Sequence, residues 1–165
     1  MMEIERKFLL KPGDESWRCS AVRTAHIRQG YFLTSPDCSV RLRIMDGQAW
    51  LTVKGESRGC ARTEYEYAVP VADAEAMMRQ FCAGREIDKT RYYLPAAEAG
   101  LQWEIDEYHG LLRGGYNAEL EIPDEDFAFV RPSWLGDEVT GDPRYTNAAL
   151  AQSACWPRQH HAAEP

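Results

Sequence analysis

Ionisable side chains recur at every second position in one short segment of this chain after another, each time opposite a mainly apolar face. That alternation has the period of a β-strand, whose successive side chains point to opposite sides. Residues 2–10 set the pattern: Glu3, Glu5 and Lys7 share one face, and Met2, Ile4, Phe8 and Leu10 the other. In 39–45, Arg41 and Arg43 oppose Val40, Leu42 and Ile44; in 49–54, Thr52 and Lys54 oppose Leu51 and Val53. Arg62, Glu64 and Glu66 oppose Tyr65, Tyr67 and Val69 around 63–69, and in 118–122 Glu119 and Glu121 oppose Ala118, Leu120 and Ile122. Lys89 with Arg91 in 87–94, and Glu104 with Asp106 in 101–108, complete the series. Adding 26–33 gives eight expected strands, seven of them with a charged face.

A single charged strand is usually a solvated face, and an open sheet with helices on one side would accommodate several. Three features favour a closed barrel with a polar interior. The charges are sorted by strand into acidic and basic pairs. Arg outnumbers Lys on the basic strands, as suits phosphate held by a planar fork of donors. Few helices are available to cover the apolar stripes: helical spacing predicts one at 73–83, ended by Gly84, and a short one at 143–152. Pro12-Gly13-Asp14, Asp46-Gly47, Pro70 and Pro123 punctuate the strands, 14–24 reads as a loop, and a turn surrounds Trp134. The expected fold is therefore α+β but mainly β, an eight-stranded antiparallel barrel with a few peripheral helices. Its apolar exterior would be buried by helices, loops or a second subunit.

The proposed interior gathers the acids Glu3, Glu5, Glu64, Glu66, Glu104, Asp106, Glu119 and Glu121 with the bases Lys7, Arg41, Arg43, Lys54, Arg62, Lys89 and Arg91. Charge held away from bulk water is costly unless each group is paired, hydrated or bound to ligand. A divalent cation with a polyanion would satisfy both signs: carboxylates hold the metal, basic groups hold phosphate oxygens, and the metal bridges the two.

The chain of 165 residues is long enough for one domain with a proper core, expected over 1–150, followed by a flexible tail at 151–165. A net charge of −7 argues against nucleic acid as the main partner, which calls for a basic surface. Cys19, Cys38, Cys60, Cys82 and Cys155 are widely spaced and odd in number, and read as reduced thiols of a cytoplasmic protein. Charges from Glu3 onward leave no signal-peptide pattern, and no apolar run reaches the ~18 residues of a membrane span. His160 and His161 fall in the polar tail and carry no metal-binding pattern.

These motifs resemble the CYTH family, the triphosphate tunnel metalloenzymes, from about residue 2 to 150. The family's ExExK signature reads Glu3-Ile4-Glu5-Arg6-Lys7. Gln29-Gly30-Tyr31, Val40-Arg41-Leu42-Arg43, Leu51-Thr52-Val53-Lys54-Gly55 and Arg62-Thr63-Glu64-Tyr65-Glu66-Tyr67 follow in order. Lys89-Thr90-Arg91-Tyr92, Trp103-Glu104-Ile105-Asp106, Ala118-Glu119-Leu120-Glu121 and Arg144-Tyr145-Thr146-Asn147 complete the set. The resemblance implies a tunnel, often homodimeric, that binds a triphosphate with Mg²⁺ or Mn²⁺. It implies metal ligation by Glu3, Glu5, Glu119 and Glu121, and phosphate binding by Lys7, Arg41, Arg43, Lys54, Lys89 and Arg91, with Arg62 less firmly placed. Glu5, Lys7 and Glu121 are then the catalytic candidates. Glu64, Glu66, Glu104 and Asp106 either help hold metal or water, or pair with interior arginines. Tyr145 and Asn147 fall where compact members place a helix closing one tunnel end, and Arg113, in a glycine turn that departs from the family's usual pattern, reads as a surface residue. The activity implied is hydrolysis of a triphosphate, inorganic tripolyphosphate first. The alternatives are an adenylate cyclase of class IV type and a non-catalytic polyphosphate-binding module.

Overall fold

The alternating segments pair into one antiparallel sheet of nine strands in the computed structural model, which describes residues 2–35, 37–58 and 61–157. They are β1 (Met2–Leu10), β2 (Arg23–Thr34), β3 (Ser39–Met45), β4 (Gln48–Arg58), β5 (Ala61–Val69), β6 (Glu86–Pro95), β7 (Gln102–Tyr108), β8 (Tyr116–Glu121) and β9 (Leu135–Glu138). Two helices accompany them, α1 (Val71–Phe81) and the one-turn α2 (Asn147–Leu150). Asp46 and Gly47 both take positive φ, 51° and 72°, so β3 reverses tightly onto β4, as the Asp-Gly pair predicts.

The hydrogen-bonded order is β5-β4-β3-β2-β6-β7-β8-β1-β9, with an additional β1–β5 pairing at Met2↔Thr63, Glu3↔Arg62 and Ile4↔Ala61. The mainly-β antiparallel expectation holds; the expectation of eight strands does not, and the strand order runs from β5 to β9 as a sheet with two ends, where the expected closed barrel has none. The ninth, β9, falls where the sequence reads only as a turn around Trp134. It forms because β5 leaves the edge of β1 after Ile4, and the freed groups need partners. Lys11 N donates to Trp134 O and Val139 N to Lys7 O, while Arg6 and Glu138 make a two-pronged ion pair outside. Gly136 permits the approach: a Cβ there would lie 2.9 Å from Leu9 O. A 3-10 turn at Ser16–Ser20 occupies the expected loop and buries Trp17. The closing helix is also shorter than the sequence suggests, a 3-10 turn at Pro143–Tyr145 followed by α2.

Apolar residues pack outside the sheet. Phe8, Leu94, Trp103, Ile105, Ala118 and Leu120 form the largest cluster, covered by Trp17, Trp134 and the segment carrying Phe127 and Phe129. Ala74, Met78 and Cys82, on and just after α1, bury Leu42 and Ala49 on the opposite side. Gly30 has to lack a side chain there, since a Cβ would meet Cys82 Cβ at 2.7 Å. A third cluster joins Leu150 and Ala151 to Tyr31, Ile87 and Tyr108, so α2 lies across one end of the charged face. Trp156 packs beside it, its ring 5.0 Å from Tyr108 and 5.8 Å from Tyr145. His160 and His161 lie outside the described residues, as does Cys60.

Candidate active site

Strand register decides which charges meet. On the charged face Glu5 stands opposite Glu121 and Lys7 opposite Glu119, while Glu104 stands opposite Glu119 and Arg91 opposite Asp106. Lys7, Lys89, Arg91, Asp106 and Glu119 are all buried, together with Gln29, Ser39, Thr52 and Asn117. The sequence reading misses Gln29, Ser39 and Asn117 as buried polar groups, although Ser39 and Asn117 each lie two residues from a charged position on their own strand; Gln29 has no such signal.

Asp106 is the hub. Its Oδ1 accepts from Arg91 Nε at 2.7 Å, and its Oδ2 accepts from Arg91 Nη2 at 2.7 Å and Lys89 Nζ at 2.5 Å. Arg91 extends the network to Glu104 and, at 3.1 Å, to Glu119 Oε2. Lys7 Nζ approaches Glu119 Oε1 at 2.8 Å and Glu5 Oε1 at 3.8 Å. The first contact is an ion pair without hydrogen-bond alignment, which leaves Glu119 Oε1 a buried acceptor short of a donor.

Burial alone would raise the Asp106 and Glu119 carboxyls, but Arg91 and Lys89 outweigh it at Asp106, and Lys7 with Arg91 at Glu119, so both stay below the usual range. Burial also opposes the charge on Lys7, yet Glu119 and Glu5 hold its ammonium protonated above the ordinary lysine range. Lys89 has the opposite balance: burial and the neighbouring Arg91 push it down to about 8, against the pull of Asp106. Desolvation, then Arg41, lowers the Arg43 guanidinium. Glu104 is raised by burial and by the nearby Glu119 and Asp106 charges, more than Arg91 offsets.

A raised carboxyl pKa means that the folded chain binds more protons than the unfolded one, so Glu104 costs stability as pH rises through that range. Glu104→Gln should therefore raise the melting temperature at pH 7 by a few degrees. The gain should disappear near pH 4, and thermal unfolding at the two pH values checks it.

A second group of pairs lines β3, β4 and β5. Arg43 Nη2 donates to Glu66 Oε2 at 2.9 Å, which also accepts from Thr52 Oγ1 at 3.0 Å. Lys54 Nζ meets Glu64 Oε2 at 2.6 Å. Arg62 is tied by its Nε to Gly55 O at 2.7 Å and by Nη2 to Ser39 Oγ at 3.0 Å. Of the four uncertain acids, all therefore have a basic partner. Arg113 is exposed, as expected of a loop residue.

Two cavities lie along the charged face. One of about 330 Å³ is lined by Lys7, Arg41, Lys54 and Arg62, with Ser39, Thr140, Thr146 and Asn147. The other, about 420 Å³, is lined by Glu5, Gln102, Glu104, Glu119 and Glu121, with no basic residue. Glu5 borders both. The side chain of Glu3 lies outside the described residues; its backbone is opposite Arg62. Among the described residues no three acid, histidine or cysteine side chains converge as a finished metal site. The donor set nevertheless suits a hard divalent ion: the charged groups lining the second cavity are all carboxylates, and Glu5 and Glu121 are directly opposed across strands, where like charges repel unless a cation lies between.

The CYTH domain family model matches residues 1–145. The chain is 42% identical over 151 residues to an inorganic triphosphatase of Acetivibrio thermocellus, covering 92% of this chain and 94% of that one. It is 38% identical over 156 residues to an inorganic triphosphatase of Nitrosomonas europaea, covering 93% and 99%. Among solved structures, the inorganic triphosphatase NE1496 superposes with a TM-score of 0.63 at 37% identity, over 92% of this chain and 95% of that one. The PH1012 protein of Pyrococcus horikoshii shares the fold at 18% identity and a TM-score of 0.57, over 75% and 80%.

Proposed function

Because the chain belongs to the CYTH domain family, we propose that it is a metal-dependent inorganic triphosphatase, cleaving the terminal phosphoanhydride of tripolyphosphate. The observation that carries the reading is the pair of oppositely charged cavities meeting at Glu5. Buried ion pairs contribute little net stability, so such a density of them is better explained by a ligand than by the fold. The relatives named as inorganic triphosphatases, similar along nearly their whole length, support the same substrate.

The β1–β5 pairing supports taking β1 to β8 as a ring, with β9 as an addition outside it. Lys7, Arg41, Lys54 and Arg62 bind the phosphate chain from the walls of the basic cavity, and Arg43 on β3 with Lys89 and Arg91 on β6 add positive charge behind them. Glu5, Glu119 and Glu121, with Glu3, would hold Mg²⁺ or Mn²⁺, which when bound polarises the terminal phosphoryl group and screens its charge. Glu104, with its raised proton affinity, is the interior acid best matched to orient the attacking water and take its proton. Catalysis is then chiefly positioning and electrostatic stabilisation of an in-line displacement.

No helix among the described residues is long and apolar enough to cross a membrane. Cys19, Cys38, Cys82 and Cys155 are free thiols, which supports a reducing, cytoplasmic setting. Tyr65 and Tyr67, exposed on the outer face of β5, support a homodimer.

Incubation with tripolyphosphate, ATP, thiamine triphosphate or pyrophosphate, each with Mg²⁺, Mn²⁺ or Ca²⁺, tests the proposal. Orthophosphate release fastest from tripolyphosphate is expected. Cyclic AMP and pyrophosphate from ATP would make the chain a cyclase, and tight binding without turnover would make it a polyphosphate-binding module.

A further inference from the structure

Two buried lysines of the charged wall owe part of their coordination to a segment that is not part of the wall. Lys7 Nζ donates to the carbonyl oxygen of Tyr145 at 3.4 Å. Lys89 Nζ, fully buried, donates to the side-chain oxygen of Asn147 at 3.4 Å besides its bond to Asp106. Asn147 is fixed in turn, because the Tyr108 hydroxyl donates to the same oxygen at 2.8 Å and itself accepts from Asn117 Nδ2 at 3.0 Å. The ring of Trp156 closes over Tyr108 and Tyr145, seated above Gly115, where a Cβ would meet it at 2.0 Å. Thr146 caps α2 by accepting from Ala149 N at 3.2 Å, which orients Asn147 as the first helical residue.

From this geometry we infer that Asn147 is a positioning residue for the triphosphatase reaction, holding the buried Lys89 ammonium behind the lining of the phosphate cavity through its side-chain oxygen. The inference rests on the triphosphatase reading. An ammonium needs acceptors for three protons. Asp106 supplies one acceptor, Oδ2, which it shares with Arg91 Nη2. Tyr108 offers a ring face at 5.5 Å from Nζ. Asn147 is thus the neutral acceptor that holds Lys89 without drawing further on Asp106. It also lines the 330 Å³ cavity, so the group that aims the lysine is beside the place where phosphate would bind.

The test is a double-mutant cycle on tripolyphosphate hydrolysis with Asn147→Leu, Lys89→Met and the pair. Asn147→Leu should lower kcat/KM about tenfold in the wild-type background and by less than about twofold beside Lys89→Met. Equal losses in both backgrounds would show that Asn147 does not act through Lys89. Tyr108→Phe keeps the ring and removes only the hydroxyl that fixes Asn147, so it should give a smaller loss with the same dependence on Lys89. That variant serves if Asn147→Leu does not fold. A readout needing no substrate separates this inference from the functional one. The ¹⁵N signal of the Lys89 ammonium should show slow proton exchange in the wild type and fast exchange in Asn147→Leu or Tyr108→Phe. Unchanged exchange would overturn the inference even in an active triphosphatase. Altered exchange in a protein that releases no phosphate would leave the lysine contact standing and remove the triphosphatase reading.

Discussion

Glutamine in place of Glu5 should lower phosphate release from tripolyphosphate by at least about a hundredfold at saturating Mg²⁺ while leaving the fold intact. The exchange keeps size and shape and removes one charge. With its side chain 34% exposed, Glu5 carries little of the packing, so the melting temperature should stay within about 2 °C of the wild type. The expected loss follows from position: Glu5 is the side chain shared by the basic and the acidic cavity, and it faces Glu121 across the β1–β8 pairing. Glu121→Gln should act in the same direction. Phosphate release against Mg²⁺ concentration, with calorimetry of metal binding, distinguishes weaker metal affinity from slower chemistry. Wild-type turnover in either variant would show that these carboxylates hold no catalytic ion.

Asp106→Asn should be the most destabilising substitution of the charged face, by about 3–5 kcal/mol, because it leaves two buried cations without their shared anion. Lys89 and Arg91 are 0% and 7% exposed, and Asp106 is 0% exposed, so water cannot replace the lost charge. For a chain of this length that corresponds to roughly a 10 °C lower melting temperature. The pH dependence has a definite sign. The Asp106 carboxyl is depressed in the folded chain, so its contribution is present above the unfolded value near 4 and is lost as pH falls. Lys89 is lowered to about 8, so the folded chain sheds that proton first and the lysine's cost is relieved as pH rises beyond this value. The difference between variant and wild type should be widest from about pH 5 to 8 and should narrow on either side. Denaturant unfolding across that range would show it. A constant difference would mean that Asp106 acts by shape and not by charge.

Much of this architecture is legible in the sequence because burial on a strand has period two. Lys89 and Arg91 could be assigned to one face from Tyr92 and Leu94 on the other, without knowing any partner strand. What periodicity does not carry is register between distant strands. That Glu119 meets Lys7 and Arg91, and so begins the catalytic cycle already paired, depends on how β8 aligns with β1. The same limit hides β9: Leu135-Gly136-Asp137-Glu138 has no apolar alternation, and it becomes a strand because the edge of β1 needs partners. Trp17 is a further case, since its burial comes from packing on Tyr92 and Tyr116 across a loop without periodicity. Asn147 was visible as a motif residue, but its bond to Lys89 comes only from the fold.

The three-way pairing of β1 has a kinetic consequence. Its residues bond to β5, β8 and β9, and two of those partners come from the far part of the sequence. Contacts of such long range require large loops to close before they return any free energy, and topologies rich in them fold in milliseconds to seconds. Hairpins such as β3–β4 can form early and locally, whereas β1 waits for β8. The carboxylates of Glu5 and Glu121 are therefore strangers until the slowest docking step, and the binding site is born in the same event that completes the native topology.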